Sequence, residues 1–238
     1  MKRLIRNATV QSRTTVAAGL PAHVRRLAAP VVRYIDMLVF DHLFIRVVFP
    51  NRHRLSDRAW RSAQPLPHQI KHLKKLGIRT IINLRGNQGT STYRLQSAAC
   101  RAAGLNFVDY RLRSRAAPSI DEIKGLKKLL DEVEYPILLH CKSGSDRAGL
   151  ASALYLHLAE NMPIDQARQA LSLRYGHIRQ ADTGILDEVF DRYLADSANQ
   201  PIDFMTWLET IYDADAIARD FHASGWANRL VNGILRRE

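Results

Sequence analysis

One stretch constrains the fold of this chain more than any other: ILLHCKSGSDRAG, which covers residues 137–149. Its apolar first half predicts a buried strand that ends at Cys141, and the apolar residues that follow predict a helix beginning near Arg147. The loop between them contains Gly144 and two serines, with no bulky side chain to block a backbone cradle. In such a loop successive N–H groups can converge on one point, and the helix N-terminus adds the positive end of its dipole. The segment therefore predicts an anion site beside a cysteine.

The regions before this stretch alternate between strand and helix patterns. Strand patterns occur in RAWRSAQPLP, IRTIINLRG, LNFVDYRL and YPILLH, and helix patterns in PHQIKHLKKLG, TYRLQSAACRAAG and SIDEIKGLKKLLDEV. In the last of these, Ser119 and Glu122 have the spacing of a capping box. Strands that alternate with helices at this spacing favour a parallel sheet covered on both faces. We therefore expect an α/β fold with a central, mainly parallel sheet of about four to five strands flanked by helices.

After Pro163 the patterns are helical, in IDQARQALSLRY, GILDEVFDRYLAD and the segment that begins DFMTWLETIY. Pro201 and the polar DSANQP indicate a hinge before that last segment, whose Trp207, Leu208, Ile211 and Tyr212 we expect to pack on the domain. The expected organisation is an N-terminal arm over residues 1–50, a main domain over 51–198 and a helical C-terminal extension over 199–238.

The charge is strongly positive, with a formal net charge of +12, which attracts nucleic acid, anionic membranes or phosphorylated substrates. Residues 1–35 contain basic residues but no Asp or Glu, and they lack the uninterrupted apolar core of a signal peptide. The apolar residues 29–49 are interrupted by charges, which disfavours a spanning helix and favours an amphipathic one. That helix packs on the domain or on a membrane surface, and the domain is favoured. A nucleic-acid partner is not expected, because no binding motif or aromatic platform is present.

The chain has two cysteines, Cys100 and Cys141, too few for a disulfide framework. We expect a reducing compartment, hence a cytoplasmic protein, with peripheral membrane association left open. Cys100 lies within a predicted amphipathic helix and is interpreted as a buried structural residue. Cys141 could be the same, but that interpretation leaves the nearby Lys142, Asp146 and Arg147 unexplained.

The residues around Cys141 suit phosphate chemistry. An amide cradle at a helix N-terminus stabilises a thiolate, and Arg147, six positions later, can grip two phosphate oxygens. The thiolate would attack phosphorus to form a phosphocysteine, which water would then hydrolyse. HCKSGSDRAG resembles the His-Cys-x5-Arg signature of the cysteine-based protein tyrosine and dual-specificity phosphatases. The resemblance extends from about Arg58 to Leu194, and WRSAQP and GIRTIINLRG resemble the opening segments of compact bacterial and fungal members.

This resemblance implies the α/β fold expected above, makes residues 51–198 a phosphatase domain, and assigns roles to the loop. Cys141 would be the nucleophile, and Arg147 would stabilise the transition state. No metal and no organic cofactor is implied. Where many members have Ser or Thr after the arginine, this chain has Ala148, so hydrolysis of the phosphocysteine would be slower or assisted by a loop serine. The residues expected to bind phosphate are Lys142, Ser143, Gly144, Ser145, Asp146 and Arg147.

The proton donor for the leaving group is less obvious. Family members usually carry an aspartate on an upstream loop, but the matching loop RLRSRAAPS has no acid. Asp109 lies at about the right distance within a predicted strand, and Asp121 is better explained as stabilising a helix N-terminus. Asp146 occupies a position where the myotubularin-like and Sac-like phosphoinositide phosphatases also carry an acid. We therefore rank Asp146 first and Asp109 second, with a salt bridge that orients Arg147 or Lys142 as the alternative role for Asp146.

Three functions remain open. The first is a phosphatase acting on phosphoprotein. The second is the same chemistry on a phospholipid or inositol phosphate at a membrane surface, with Arg111, Arg113 and Arg115 contacting the extra negative charge. These arginines could equally be solvated loop residues. The third is a phosphate-binding scaffold without catalysis.

Overall fold

A computed structural model of the protein describes residues 50–229. The basic arm and the amphipathic helix predicted before residue 50 lie outside the described residues, as does the chain after residue 229. No helix within the described range is long and apolar enough to cross a membrane.

A five-stranded sheet forms the centre of the molecule, in the order β1-β2-β5-β3-β4. Only β1 is antiparallel to its neighbour, and the other pairs are parallel, so the predicted α/β fold with a mainly parallel sheet is confirmed. Strand β5 is central, and all of its residues are buried. The strands are β1 (His53–Arg54), β2 (Ala59–Ala63), β3 (Thr80–Asn83), β4 (Asn106–Asp109) and β5 (Ile137–Cys141).

Helices cover both faces of this sheet, because alternate residues of each buried strand point to opposite sides. Leu138 packs with α1 (Pro67–Lys75) and α2 (Ser91–Ala103), whereas Ile137 and Leu139 pack into the larger core, which includes α3 (Ile120–Glu132) and α4 (Asp146–Leu158). Helix α3 begins with the predicted capping box. Ser119 Oγ accepts from the Glu122 amide, and the Glu122 carboxylate accepts from the Ser119 amide.

The chain after Pro163 differs from its sequence pattern. The continuous helix expected over IDQARQALSLRY is broken into α5 (Ile164–Ala167) and two 3₁₀ turns, Arg168–Ala170 and Leu173–Tyr175. The break has a tertiary cause, because the carbonyl of Ala170 accepts a hydrogen bond from the buried guanidinium of Arg61, 2.6 Å away. Intrinsic helix propensity is a weak preference, and such tertiary contacts override it. The turn brings residues 171–187 back toward the N-terminus of α4.

Of the remaining described helices, the first three pack on the same core, and the last packs through Ala227 against Ile178 and Ala181 in a separate small cluster. These helices are α6 (Glu188–Asn199), preceded by a 3₁₀ turn at Asp182–Leu186, then α7 (Phe204–Thr210), α8 (Ala214–Asp220) and α9 (Gly225–Arg229). Trp207, Leu208 and Tyr212 are buried in the larger core, as expected. Ile211 is 51% exposed, so the expectation that it packs inward is wrong, because the end of α7 turns its side chain toward solvent. The boundaries of the three expected regions stay a prediction.

Candidate active site

The loop with the cysteine lies at the carboxyl end of the central strand. Cys141 is the last residue of β5 and is 2% exposed, and α4 begins five residues later at Asp146. Ligands of parallel α/β sheets bind outside the carboxyl ends of the strands, where helix N-termini also meet. Arg147, in the first turn of α4, is buried to 8% exposure at the same end. The fold thus places the predicted nucleophile and the predicted phosphate-gripping arginine at its natural ligand-binding edge.

The backbone of this loop is held from outside. Each of the four consecutive carbonyls of residues 142–145 accepts a hydrogen bond from a group beyond the loop. In a trans peptide the N–H points away from the C=O, so the amides of residues 143–146 face the opposite side, the concave interior. Such converging amides form an anion-binding nest. The four contacts are Gln64 N to Lys142 O (3.2 Å), Asn51 Nδ2 to Ser143 O (3.0 Å), Arg61 Nη2 to Gly144 O (2.7 Å) and Arg61 Nη2 to Ser145 O (3.0 Å).

Gly144 is required at the bend of the loop for two reasons. Its φ is +75°, a conformation that costs a side-chain-bearing residue about 1–2 kcal/mol. A Cβ added there would also lie 2.5 Å from the Ala63 amide nitrogen and 2.6 Å from the Ser62 carbonyl carbon, at the end of β2. The loop therefore closes directly on the neighbouring strand, and only glycine allows that approach.

The backbone of Cys141 is also anchored. The buried His140 Nε2 lies 2.9 Å from Gln96 Nε2, which is a donor because Gln96 Oε1 accepts from Gln64. His140 Nε2 therefore accepts, and the proton resides on Nδ1, which donates to the carbonyl of Cys141 at 3.3 Å. The histidine that precedes the cysteine thus fixes the strand end as a neutral hydrogen-bonding group.

Asp146 is buried and forms an ion pair with His177. Its Oδ1 accepts a hydrogen bond from His177 Nδ1 at 2.8 Å, and His177 Nε2 donates to Asp187 Oδ2 at 2.7 Å. Burial alone would lower the pKa of His177, but the hydrogen bonds to Asp146 and Asp187 outweigh it and raise the pKa to about 9. His177 is therefore an imidazolium at neutral pH, and it forms an ion pair with each of the two carboxylates.

The second candidate acid, Asp109, ends β4 at the same edge of the sheet, two strands from β5. Its two carboxylate oxygens accept from neutral donors, Asn83 Nδ2 at 2.7 Å and the Tyr93 hydroxyl at 2.6 Å. The hydrogen bond to Asp109 is the largest cause that raises the pKa of Tyr93 to about 12, so that hydroxyl keeps its proton at neutral pH. Asp109 is exposed and has no cation at hydrogen-bonding distance within the described residues.

The three loop arginines differ in how they are used. Arg113 donates to both oxygens of Glu122 and to the Ala117 carbonyl, so it supports the N-terminus of α3. Arg115 lies 4.0 Å from Asp182. The side chain of Arg111 packs beside Gly86 and makes no hydrogen bond or ion pair with the described part of the chain. Within residues 50–229, Arg111 is thus the one of these three arginines that has no acidic side chain beside it.

The residues that support the loop were not identified from the sequence. Asn51, Arg61 and His177 contact it across 92, 83 and 31 positions of chain. Arg61 lies in WRSAQP, a segment that resembles the opening segment of family members, but the sequence assigned no role to this arginine. The turn that returns His177 to the loop depends on tertiary contacts and has no local signal.

A family match covers the segment that contains this loop. A sequence model of the family described as "DSP-PTPase phosphatase fused to NAD+ Kinase" matches residues 50–185, more than half of the chain. The protein therefore belongs to this family, and the predicted membership of the tyrosine and dual-specificity phosphatase superfamily is confirmed. The predicted enzyme class, a phosphoric monoester hydrolase, agrees with the names of its relatives.

Among curated proteins, the dual specificity protein phosphatase TpbA of Pseudomonas aeruginosa strain UCBPP-PA14 is 28% identical over 143 residues, 58% of this chain and 57% of that protein. TpbA of strain PAO1 is 29% identical over 105 residues, 44% of this chain and 45% of that protein. The chain thus spans about half the length of the curated relatives it matches.

Two solved structures are also similar. Crystalline P. aeruginosa TpbA in complex with pTyr has a TM-score of 0.47 at 20% identity, covering 62% of this chain and 91% of that one. Tk-PTP in its active form has a TM-score of 0.49 at 15% identity, covering 60% and 97%.

Proposed function

We propose that the protein is a cysteine-dependent phosphate monoester hydrolase of the dual-specificity type, acting on phosphoprotein. One observation carries the proposal. Cys141 ends the central strand directly before a loop whose four amides face inward, and Arg147 starts the helix that follows. Inward amides and a guanidinium complement the equatorial oxygens of a phosphoryl group under attack. Membership of the phosphatase family supports the same conclusion.

The chemistry has two steps. The Cys141 thiolate attacks phosphorus, an S–P bond forms, and the P–O bond to the leaving group breaks while an acid gives that oxygen a proton. Water then attacks the phosphocysteine, the S–P bond breaks, and inorganic phosphate and the thiolate are released. The loop amides and Arg147 stabilise the charge on the three equatorial oxygens in both steps. Ala148 has no hydroxyl to assist the departing thiolate, so the second step relies on these groups and on the loop serines.

For the proton donor, we rank Asp109 ahead of Asp146, which reverses the order suggested by the sequence. Asp146 is buried, and its Oδ1 accepts from the imidazolium of His177 in an ion pair, which competes with the transfer of a proton to a leaving group. Asp109 contacts only neutral donors among the described residues and is exposed at the same sheet edge. In this proposal Asp146 has the other role considered for it, an ion pair at the start of α4.

A phosphoprotein is the favoured substrate class. Glu122 neutralises Arg113, and Asp182 lies near Arg115, so this rim offers less free positive charge than its sequence suggests. Binding of a polyphosphorylated headgroup would need more free positive charge than this rim offers. The related TpbA was crystallised in complex with pTyr, which supports a phosphotyrosine side chain as one substrate.

A substrate panel tests this proposal on the full chain. It contains a phosphotyrosine peptide, a phosphothreonine peptide, a generic aryl phosphate, soluble inositol phosphates and phosphoinositide vesicles. We expect turnover of the aryl phosphate and the peptides, and its loss in Cys141→Ser but not in the control Cys100→Ser. Turnover of inositol phosphates or vesicles alone would contradict the protein substrate. A wild-type protein that binds phosphate but turns over nothing would contradict catalysis altogether and support a scaffold.

A further inference from the structure

Arg61 is a buried charge without an obvious structural reason. It lies on β2, is 0% exposed, and forms no ion pair with a carboxylate in the part of the chain described here. Its guanidinium donates to three backbone carbonyls and lies over the Tyr175 ring, 4.1 Å from the centroid. Burying a charge without a counter-ion is costly, so a fold that keeps one implies a compensating interaction.

The position of the Arg61 guanidinium indicates where its compensating interaction lies. Two of its three carbonyl partners, Gly144 and Ser145, belong to residues 142–147, the proposed phosphate-binding loop, hereafter the phosphate loop. Burial lowers the pKa of Arg61 to about 10, and the negative charges of Cys141, Tyr175 and Asp146 act in the opposite direction. The guanidinium is thus charged at neutral pH. The nearby His53 also senses it, because burial and then the charges of Arg61 and Arg174 lower the pKa of His53.

We propose that Arg61 is a positioning residue of the phosphate loop, which turns two of its amides inward and places a permanent positive charge behind the Cys141 thiolate and the bound phosphate. This inference rests on the proposed function. Without Arg61, the carbonyl of Gly144 loses the contact that fixes its orientation and can turn toward the phosphate, whereas the carbonyl of Ser145 keeps the hydrogen bond from the Gly149 amide. A carbonyl oxygen there would repel the anion that the amides attract.

The orienting and electrostatic contributions can be separated. Arg61→Met removes the charge and all donors, whereas Arg61→Lys keeps the charge but cannot hold several carbonyls in the same geometry. Arg58→Met is the matched control, because Arg58 precedes the same strand, also stacks on a tyrosine, Tyr135, at 4.0 Å, and lies at the opposite end from the loop. All variants are made in a Cys100→Ser background so that Cys141 is the one reactive thiol.

Two measurements are made on the folded full chain. The first is the pH dependence of the rate at which iodoacetamide alkylates Cys141. The titratable and charged groups around this loop other than Arg61 are His140, Lys142, Asp146, Arg147, Tyr175 and His177, and none of them is changed. The second is the affinity for orthovanadate, a phosphate analogue, together with kcat and KM for an aryl phosphate. In Arg61→Met we expect the alkylation midpoint to rise by roughly one pH unit, the usual effect of losing a nearby opposite charge.

The same variant should bind vanadate at least 10-fold more weakly and lose roughly 100-fold in kcat/KM, the scale of losing one oxyanion donor. Arg61→Lys should keep the wild-type alkylation profile and lose vanadate affinity, and Arg58→Met should match the wild type in both. Wild-type alkylation and vanadate binding in Arg61→Met would overturn the proposal. If Arg61→Met does not fold, unchanged vanadate affinity and kcat in Arg61→Lys would overturn it. If the wild type turns over no substrate, the proposed function fails, but alkylation and vanadate binding still decide the role of Arg61.

Discussion

The two cysteines of this protein are both buried, but their surroundings differ. Cys100 is 0% exposed and Cys141 is 2% exposed. They belong to two hydrophobic clusters that lie on opposite sides of the sheet. Cys100 lies in the middle of α2 among Ile70, Leu73 and Ile81, and burial raises the pKa of its thiol to about 12. Cys141 lies at a strand end, beside inward-facing amides and the guanidinium of Arg61.

We expect the two thiols to differ in reactivity although both are buried. What differs is the arrangement of fixed dipoles and charges around the sulfur. In α2 the backbone N–H groups donate within the helix itself. In the loop before α4, the carbonyls of residues 142–145 accept from groups outside the loop, which turns the N–H groups of residues 143–146 inward.

The largest expected effect comes from replacing each of the two cysteines in turn. Cys141→Ser should lower kcat for an aryl phosphate by at least roughly 10⁴-fold, because a serine hydroxyl is not ionised and cannot replace the thiolate. Cys100→Ser should keep wild-type kcat, with a small loss of Tm from the altered apolar site. Steady-state kinetics and thermal unfolding of both variants measure this. Comparable losses in the two variants would show that they report on folding rather than chemistry.

The next effect tests which carboxylate, that of Asp109 or that of Asp146, supplies the proton. In Asp109→Asn, kcat for a phosphotyrosine peptide should fall by roughly 10³-fold, and the decline of the rate at alkaline pH should disappear. A substrate with a highly acidic leaving group should be much less affected, because it needs no proton. Asp146→Asn should keep the alkaline limb. The opposite result, with the limb lost in Asp146→Asn alone, would restore Asp146 as the donor.

A smaller effect concerns the loop backbone. Gly144→Ala should lower kcat/KM by roughly 100-fold, because the added Cβ would collide with the end of β2 and displace the inward amides. Gly89→Ala is the matched control, since Gly89 also has a positive φ, +61°, but no atom lies within 4 Å of its would-be Cβ. It should lose about 1–2 kcal/mol of stability from backbone strain and retain activity. Equal kcat/KM in the two variants would show that the close approach at Gly144 is unimportant.

The smallest expected effect concerns stability and its dependence on pH. The pKa of His177 is raised from 6.5 to about 9 in the folded protein. The stability this gives is fully present below pH 6.5 and is lost as the pH rises through about 9, with an upper size on the order of 3 kcal/mol. In His177→Gln the free energy of unfolding should therefore decrease less between pH 6 and pH 9.5 than in the wild type. Chemical denaturation at both pH values measures it, and an identical decrease in both proteins would contradict the ion pair.

Much of the fold could be predicted because its signals are local. The strand patterns, the capping box at Ser119 and the left-handed glycine that ends α2, Gly104, each depend on a few neighbouring residues. The phosphate loop was equally accessible, since its cysteine, glycine and arginine lie within seven positions of each other. The helix expected after Pro163 was interrupted because one long-range hydrogen bond from Arg61 outweighed its local propensity.

The sequence by itself determined which groups are available: a thiol, a guanidinium and a glycine spaced on one loop between an apolar strand and an apolar helix. Only the tertiary structure decided how that loop is held and charged. The donors that fix its carbonyls come from Asn51, Arg61 and Gln64, and the cation that pairs with Asp146 comes from His177. Hydrogen bonds and ion pairs act over a few ångströms of space regardless of separation along the chain. For that reason no pattern of neighbouring residues could show them before the sheet and its helices were assembled.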